Sequence, residues 1–250
     1  MSLSIKKVYG IHAVAAVIKH DQASIKNLWA DTKSRNKRLL QTLLRAQKAG
    51  LSIHHAESKQ LDQLAATNKH QGIVAECVSS QRYQEADLDQ LLTNLEQIAL
   101  LLVLDGVTDP HNLGACLRTA EAAGVQAVIT TKDKAVGLTP VVRKVSSGAA
   151  EIIPLIQVTN LARTLDTLKD AGIWIIGTSD HATEGIYSQD LTGPIAFVMG
   201  AEGKGMRRLT EKQCDILANL PMAGEVSSLN ISVATGVCLY EAVRQRQCKL

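Results

Sequence analysis

A chain of 250 residues, 46% hydrophobic and 20% charged, has the balance of a soluble globular protein and room for one large domain or two small ones. No apolar run approaches the ~20 residues that cross a membrane, and five scattered cysteines without a C-x-x-C pair argue against a disulfide framework or a zinc site. A cytoplasmic protein without metal is expected. The net charge of +3 hides an asymmetry, because residues 1–82 carry 13 Lys and Arg against 5 Asp and Glu while the remainder is acidic on balance. That distribution points to a polyanion handled by the first part of the chain.

At the N-terminus Lys6 and Lys7 precede an apolar run that Gly10 and His12 break, too weak for a signal peptide. Val8 to Lys19 reads instead as an amphipathic helix. Leu28 to Ala30 is a short strand, Asn36 to Ala49 a helix stopped by Gly50, and Leu51 to His54 a second strand. A third helix, Gln60 to Ala66, leads through His70-Gln71-Gly72 into a strand over 73–78. This is a small α/β domain, residues 1–78. Its cations Lys33, Arg35, Lys37, Arg38 and Arg45 cluster around the second helix and are the candidate nucleic-acid contacts; the plainer alternative is a solvated basic face. With only Tyr9 and Trp29 as aromatic residues in it, contact through phosphates and shape is favoured over base stacking. A linker is placed over 79–96, on the polar, aperiodic run from Ser79 to Asp89.

From residue 97 strands and helices alternate, the mark of a mainly parallel sheet covered on both faces. Strands are expected at 98–104, 126–130, 152–156, 173–177, 195–199 and 216–220, with helices over 112–123, 141–147, 161–171 and 230–246. In the last helix Val233, Val237, Tyr240 and Ala242 are candidates for the buried face. Three loops follow strand ends, at 105–112, 200–206 and 220–230, where open α/β sheets bind their ligands. The glycine loop Gly200-Ala201-Glu202-Gly203-Lys204-Gly205 lacks the G-K-[ST] ending of a P-loop and the spacing of a dinucleotide fingerprint. The last loop runs from Pro221 through Gly224 to Ser227, Ser228 and Asn230, residue types that turn a chain and cap a helix. It suits a small ligand gripped through main-chain groups, and equally an ordinary strand–loop–helix connection.

Taken together, Asp105-Gly106-Val107-x-Asp109-Pro110-x-Asn112-Leu113-Gly114 with Arg118, Val198-Met199-Gly200-x-Glu202-Gly203-x-Gly205, and Pro221-Met222-x-Gly224-x-x-Ser227-Ser228-Leu229-Asn230-x-Ser232 resemble the three motifs of the SpoU/TrmH branch of the SPOUT methyltransferases. The basic first domain resembles that branch's L30e-like substrate-binding domain. The resemblance implies a C-terminal SPOUT-type parallel sheet with a deep trefoil knot over 97–250, beside the smaller L30e-like α/β domain. It also implies S-adenosylmethionine (SAM) as methyl donor, held near Met199, Gly200, Leu220, Met222, Ser228 and Leu229. Arg118 is implied as the catalytic position, with Asn112, Glu202, Ser228 and Asn230 as its companions. From the residues alone Arg118 could be a surface arginine, Asn112, Ser228 and Asn230 helix caps, and Glu202 a turn residue. The pairing of domains is most similar to members that methylate a guanosine ribose 2′-hydroxyl in the peptidyl-transferase P-loop of 23S rRNA, working as homodimers through the C-terminal domain. A tRNA 2′-O-methyltransferase of the same branch and a non-enzymatic RNA-binding protein are the alternatives.

Overall fold

The computed structural model describes residues 5–78, 83–201 and 203–248. The chain divides into two units, one of residues 1–82 with 140–152 and one of 83–139 with 153–250.

In the first unit β1 (Ile5–Tyr9), α1 (Ile11–His20), β2 (Ile25–Ala30), α2 (Lys37–Lys48), β3 (Ile53–His55), α3 (Ser58–Ala65) and β4 (Ile73–Val78) follow in order. The sheet order is β1-β4-β2-β3, with β4 antiparallel to both its neighbours and β2 parallel to β3. Strand alternation sets the layers. Ile73, Ala75 and Cys77 pack with α1 and α2, whereas Val74 packs with Leu61 and Ala65 of α3 on the opposite face. Asn36 caps α2 by accepting from the backbone N–H of Arg38 at 3.0 Å and Leu39 at 3.3 Å.

One expectation fails here. Val8 to Lys19 is not a single helix: Ile5–Tyr9 is a strand paired with β4 from Ile5↔Val78 to Tyr9↔Val74, and the chain turns at Gly10, φ 91°. Pairing across some 70 residues leaves no trace in local periodicity, so the apolar run looked helical. The stretch taken as linker also holds structure, α4 (Glu85–Thr93), which the second unit claims.

The second unit continues with β5 (Leu100–Asp105), α5 (Pro110–Ala122) and β6 (Ala127–Thr131); α6 (Pro140–Val145) lies in the segment that groups with the first unit. Then come β7 (Leu155–Val158), α7 (Leu161–Asp170), β8 (Trp174–Thr178), β9 (Glu184–Gly185), β10 (Ile195–Gly200), α8 (Arg208–Lys212), β11 (Ile216–Asn219) and α9 (Ile231–Gln247). The seven strands are parallel throughout, in the order β7-β6-β5-β10-β8-β11-β9. All six residues of β5 are buried, as a strand covered on both faces requires. Leu88 of α4 and Leu161, Leu165 and Leu168 of α7 cover one face together with Leu101 and Val103.

The last helix does not bury the face expected of it. Ile231, Ala234, Thr235, Cys238, Leu239, Glu241 and Ala242 are inside, while Val233 and Tyr240 are exposed and Val237 is half-buried. Small residues let α9 approach α5, where the Thr235 hydroxyl and the Cys116 thiol stand 3.6 Å apart. Its far end is fixed by polar bonds. The Arg246 guanidinium donates to four backbone carbonyls, Ile98 (3.2 Å), Ala99 (2.9 Å), Leu191 (3.2 Å) and Gly193 (2.7 Å), at the starts of β5 and β10. Beside it the Glu241 pKa is held down to about 2 by two hydrogen bonds from the Arg244 guanidinium, with Gln245 adding a third. Arg246→Ala leaves those carbonyls short of a charged donor and is expected to cost about 2–4 kcal/mol. Urea unfolding followed by circular dichroism reads this; an unchanged midpoint would contradict the clamp.

Candidate active site

Parallel pairing brings the carboxyl ends of β5, β10, β8 and β11 side by side, with Gly200 level with Asp105 and Leu217 level with Gly177. The loops that leave β8, β10 and β11 line a cavity of about 340 Å³, whereas the 105–112 loop after β5 does not reach it. Met199, Gly200, Leu220, Met222, Ser228 and Leu229, the six positions tied to the cofactor by sequence, all line it. So do Thr178, Ser179, Asp180 and His181 after β8, which the sequence reading missed although the rule that finds the other loops applies to this strand end too.

The wall of the cavity depends on a missing side chain. A Cβ on Gly200 would lie 2.2 Å from the Gly205 carbonyl carbon and 2.3 Å from the Met206 nitrogen. The loop therefore folds back against the end of β10, closed by Gly205 N–H to Ala201 oxygen at 2.9 Å and the reciprocal bond at 3.1 Å. Its exit is tied down by Asp105: the buried carboxylate accepts the Arg207 backbone N–H at 2.8 Å. Asp105 Oδ1 lies 3.4 Å from the Arg207 guanidinium, close enough for an ion pair but outside hydrogen-bond geometry, which leaves that oxygen unbonded.

Asp109, not Asn112, caps α5, accepting from the His111 N–H at 2.9 Å, with Pro110 at the first helical position. Asn112 is buried, and its side-chain oxygen accepts from the Asn230 amide at 3.0 Å. Asn230 in turn caps α9 through the Ser232 N–H at 2.9 Å. The cap reading thus holds for Asn230 and fails for Asn112, and the bond between them ties α5 to the loop before α9. Because α5 begins at Pro110, Arg118 falls in its third turn; it is exposed and does not line the cavity. Ser228 lies on the cavity wall; Glu202 lies outside the described residues.

Cys214 offers no nucleophile at neutral pH, since burial, reinforced by Asp215, pushes its thiol up to about 12. Among the described residues no group of three or more His, Cys, Asp or Glu comes together to hold a metal, and no helix is long and apolar enough to cross a membrane. In the first unit Lys33, Arg35, Lys37 and Arg38 are exposed around the start of α2, with Arg38 on the rim of a second cavity; Arg45 lies about two turns further along and off that rim.

A parallel sheet with a loop-walled cavity at its carboxyl ends defines a small-ligand site. Residues 99–240 match the SpoU rRNA Methylase family, and residues 7–83 match the family described as RNA 2'-O ribose methyltransferase substrate binding. The chain belongs to the SpoU rRNA methylase family. It is 56% identical over 246 residues to the 23S rRNA (guanosine-2'-O-)-methyltransferase RlmB of Pseudomonas putida, covering 98% of both chains. The SpoU methyltransferase AviRb of Streptomyces viridochromogenes in complex with the cofactor AdoMet is similar over 97% of this chain and 91% of its own, with a TM-score of 0.79 and 25% identity. A TrmH/SpoU tRNA modifying enzyme of A. aeolicus, 30% identical, covers 66% of this chain and 85% of its own, with a TM-score of 0.57.

The cavity fits SAM on its own features: main-chain walls brought close by Gly200, the apolar Leu220, Met222 and Leu229, and the Ser228 hydroxyl. Gly200→Ala must push the glycine loop off the end of β10, so SAM affinity is expected to fall at least tenfold (about 1.4 kcal/mol) while the fold persists. Calorimetric titration with SAM checks this; wild-type affinity would mean that the loop does not form the site.

Proposed function

We propose that the chain transfers a methyl group from SAM to the ribose 2′-hydroxyl of a guanosine in 23S rRNA. The observation that carries this is the gathering of all six sequence-assigned cofactor positions on one cavity, in a chain matched over nearly its full length by the relative from P. putida. The finer assignment to the peptidyl-transferase P-loop rests on the resemblance of the first domain. The A. aeolicus tRNA enzyme matches only 66% of the chain, and the basic first unit supports rRNA over the tRNA alternative.

SAM, when bound, supplies an electrophilic methyl. The residues supply position and charge. The Asn112–Asn230 bond holds α5 to the cavity loop, so the helix that carries Arg118 keeps its place relative to Ser228 and Leu229. A guanidinium stays charged, its pKa being above about 12, and is therefore no general base. Arg118, exposed on α5, holds an RNA phosphate or the reacting hydroxyl and stabilises negative charge as the proton leaves. In the first unit Lys33, Arg35, Lys37 and Arg38, with Arg45 further along the helix, meet the phosphates.

The strand order supports a knotted C-terminal unit. After β8 the chain runs out to β9 at the sheet edge, returns to insert β10 between β5 and β8, and then places β11 between β8 and β9. A homodimer packed through this unit is supported by the exposed Val233 and Tyr240 with half-buried Val237, at helical spacing on one side of α9. The cytoplasm, where unmodified rRNA is available, is its place of work.

Arg118→Ala is expected to lower methyl transfer to unmodified 23S rRNA by at least 100-fold, about 2.7 kcal/mol, with SAM binding unchanged. Labelled-SAM transfer followed by mapping of the modified nucleotide measures both; full activity would remove Arg118 from the mechanism, and transfer to tRNA alone would overturn the substrate. Reversing charge at Lys37 and Arg38 together is expected to weaken RNA binding and flatten its dependence on salt. Filter binding from 50 to 200 mM salt reads the slope, and an unchanged slope would make this face merely solvated.

A further inference from the structure

The first unit holds a cavity that phosphate contact alone does not explain. Its volume is about 370 Å³, within the range of about 300–1,000 Å³ usual for small-molecule sites. The start of α1, the loop before α2, the start of α3 and the His70–Gly72 turn enclose it. The floor is aliphatic: Ile11 and Leu61 are both buried. The rim is polar and held in place by its own hydrogen bonds.

Gln71, at φ 55°, turns its side-chain oxygen to the Ile11 N–H at 2.9 Å. Behind it buried His70 is fixed at both nitrogens, with Nδ1 accepting from the Gly72 N–H at 3.0 Å and Nε2 3.1 Å from an Asp62 carboxylate oxygen. Asn36 spends its oxygen on the Arg38 and Leu39 N–H groups. In both amides the oxygen is thus assigned, which orients the NH₂ as a donor. Asp31 gives one carboxylate oxygen to the Lys33 N–H at 3.1 Å and keeps the other as an acceptor on the rim. Oriented donors and an acceptor around an apolar floor match the edge and face of one nucleobase, and Arg38 on the same rim matches its phosphate.

We infer that this cavity receives a single unstacked nucleotide of the substrate RNA, with the base against Ile11 and Leu61, its edge read by Asp31, Asn36 and Gln71, and its phosphate met by Arg38. The inference rests on the reading of the first unit as the RNA-binding part of a methyltransferase. It adds direct contact with a base to a surface that composition described only as basic. A basic face by itself tracks backbone phosphates without regard to the base; a walled cavity with fixed donors and acceptors selects one.

Charge and recognition make opposite demands on Asp31, and that gives the test. Asp31→Asn keeps the shape and the acceptor for the Lys33 N–H, removes a negative charge, and replaces the rim acceptor by a donor. Were electrostatics the whole interaction, the variant would bind RNA more tightly. We expect it to bind unmodified 23S rRNA about tenfold more weakly, with an unchanged salt slope, unchanged SAM affinity and a raised KM for RNA at constant kcat. Ser58→Trp, which fills the cavity from exposed Ser58 on its rim, is expected to act in the same direction. Equal or tighter binding by Asp31→Asn, or a wild-type KM for Ser58→Trp, overturns the inference. A wild-type protein that neither binds nor methylates 23S rRNA instead overturns the functional reading beneath it, so the two failures are told apart.

Discussion

The second unit depends on backbone meeting backbone at Gly200. Strand β10 ends level with Asp105 of β5, and the following loop returns onto the strand end so closely that even a methyl group would lie 2.2 Å from the Gly205 carbonyl carbon. This single contact makes the loop a wall instead of a protrusion. Asp105 then anchors the far end of the loop through the Arg207 N–H, so both ends are held beside the same point of the central strands. A cavity bounded by main chain follows, and main chain is suited to gripping an adenosine whose shape, more than its charge, must be recognised.

Around that contact the unit assembles catalysis from distant segments. Asn112 and Asn230 are 118 residues apart in sequence and share a hydrogen bond of 3.0 Å. One lies on the helix that bears Arg118, the other at the end of the loop that lines the cavity. The far end of α9 is fixed just as firmly, by Arg246 on four carbonyls, so the helix start that follows the cavity loop is not free to drift. Geometry held from both ends is what methyl transfer needs, because orientation supplies most of what the residues can contribute.

The first unit works by other means. Its two cores lie on opposite faces of a four-stranded sheet, and the turn at His70–Gly72 reaches the start of α1 through Gln71. Cations stand near the start of α2, where the chain is also walled into a cavity. In the function proposed for it, long-range charge draws the RNA in and a fixed rim of donors and acceptors gives it a register.

The sequence by itself determined much of this. Continuous apolar runs marked the buried parallel strands, and Asn36 with Gly50 bracketed α2 to within a residue, because propensity, capping and burial in these segments are local. The positions on the cavity wall, from Met199 to Leu229, came from the resemblance of the motifs to the SpoU/TrmH branch and not from any local physical signal. Tertiary structure alone decided the rest. It made Ile5–Tyr9 a strand through a partner some 70 residues away and grouped residues 140–152 with the first unit. It turned Val233 and Tyr240 outward and buried Ile231, Ala234, Thr235, Cys238 and Leu239 instead. It brought Thr178–His181 to the cavity and put a hydrogen bond between Asn112 and Asn230. Each of these outcomes depends on a neighbour distant along the chain, and periodicity within a single segment carries no record of such a neighbour.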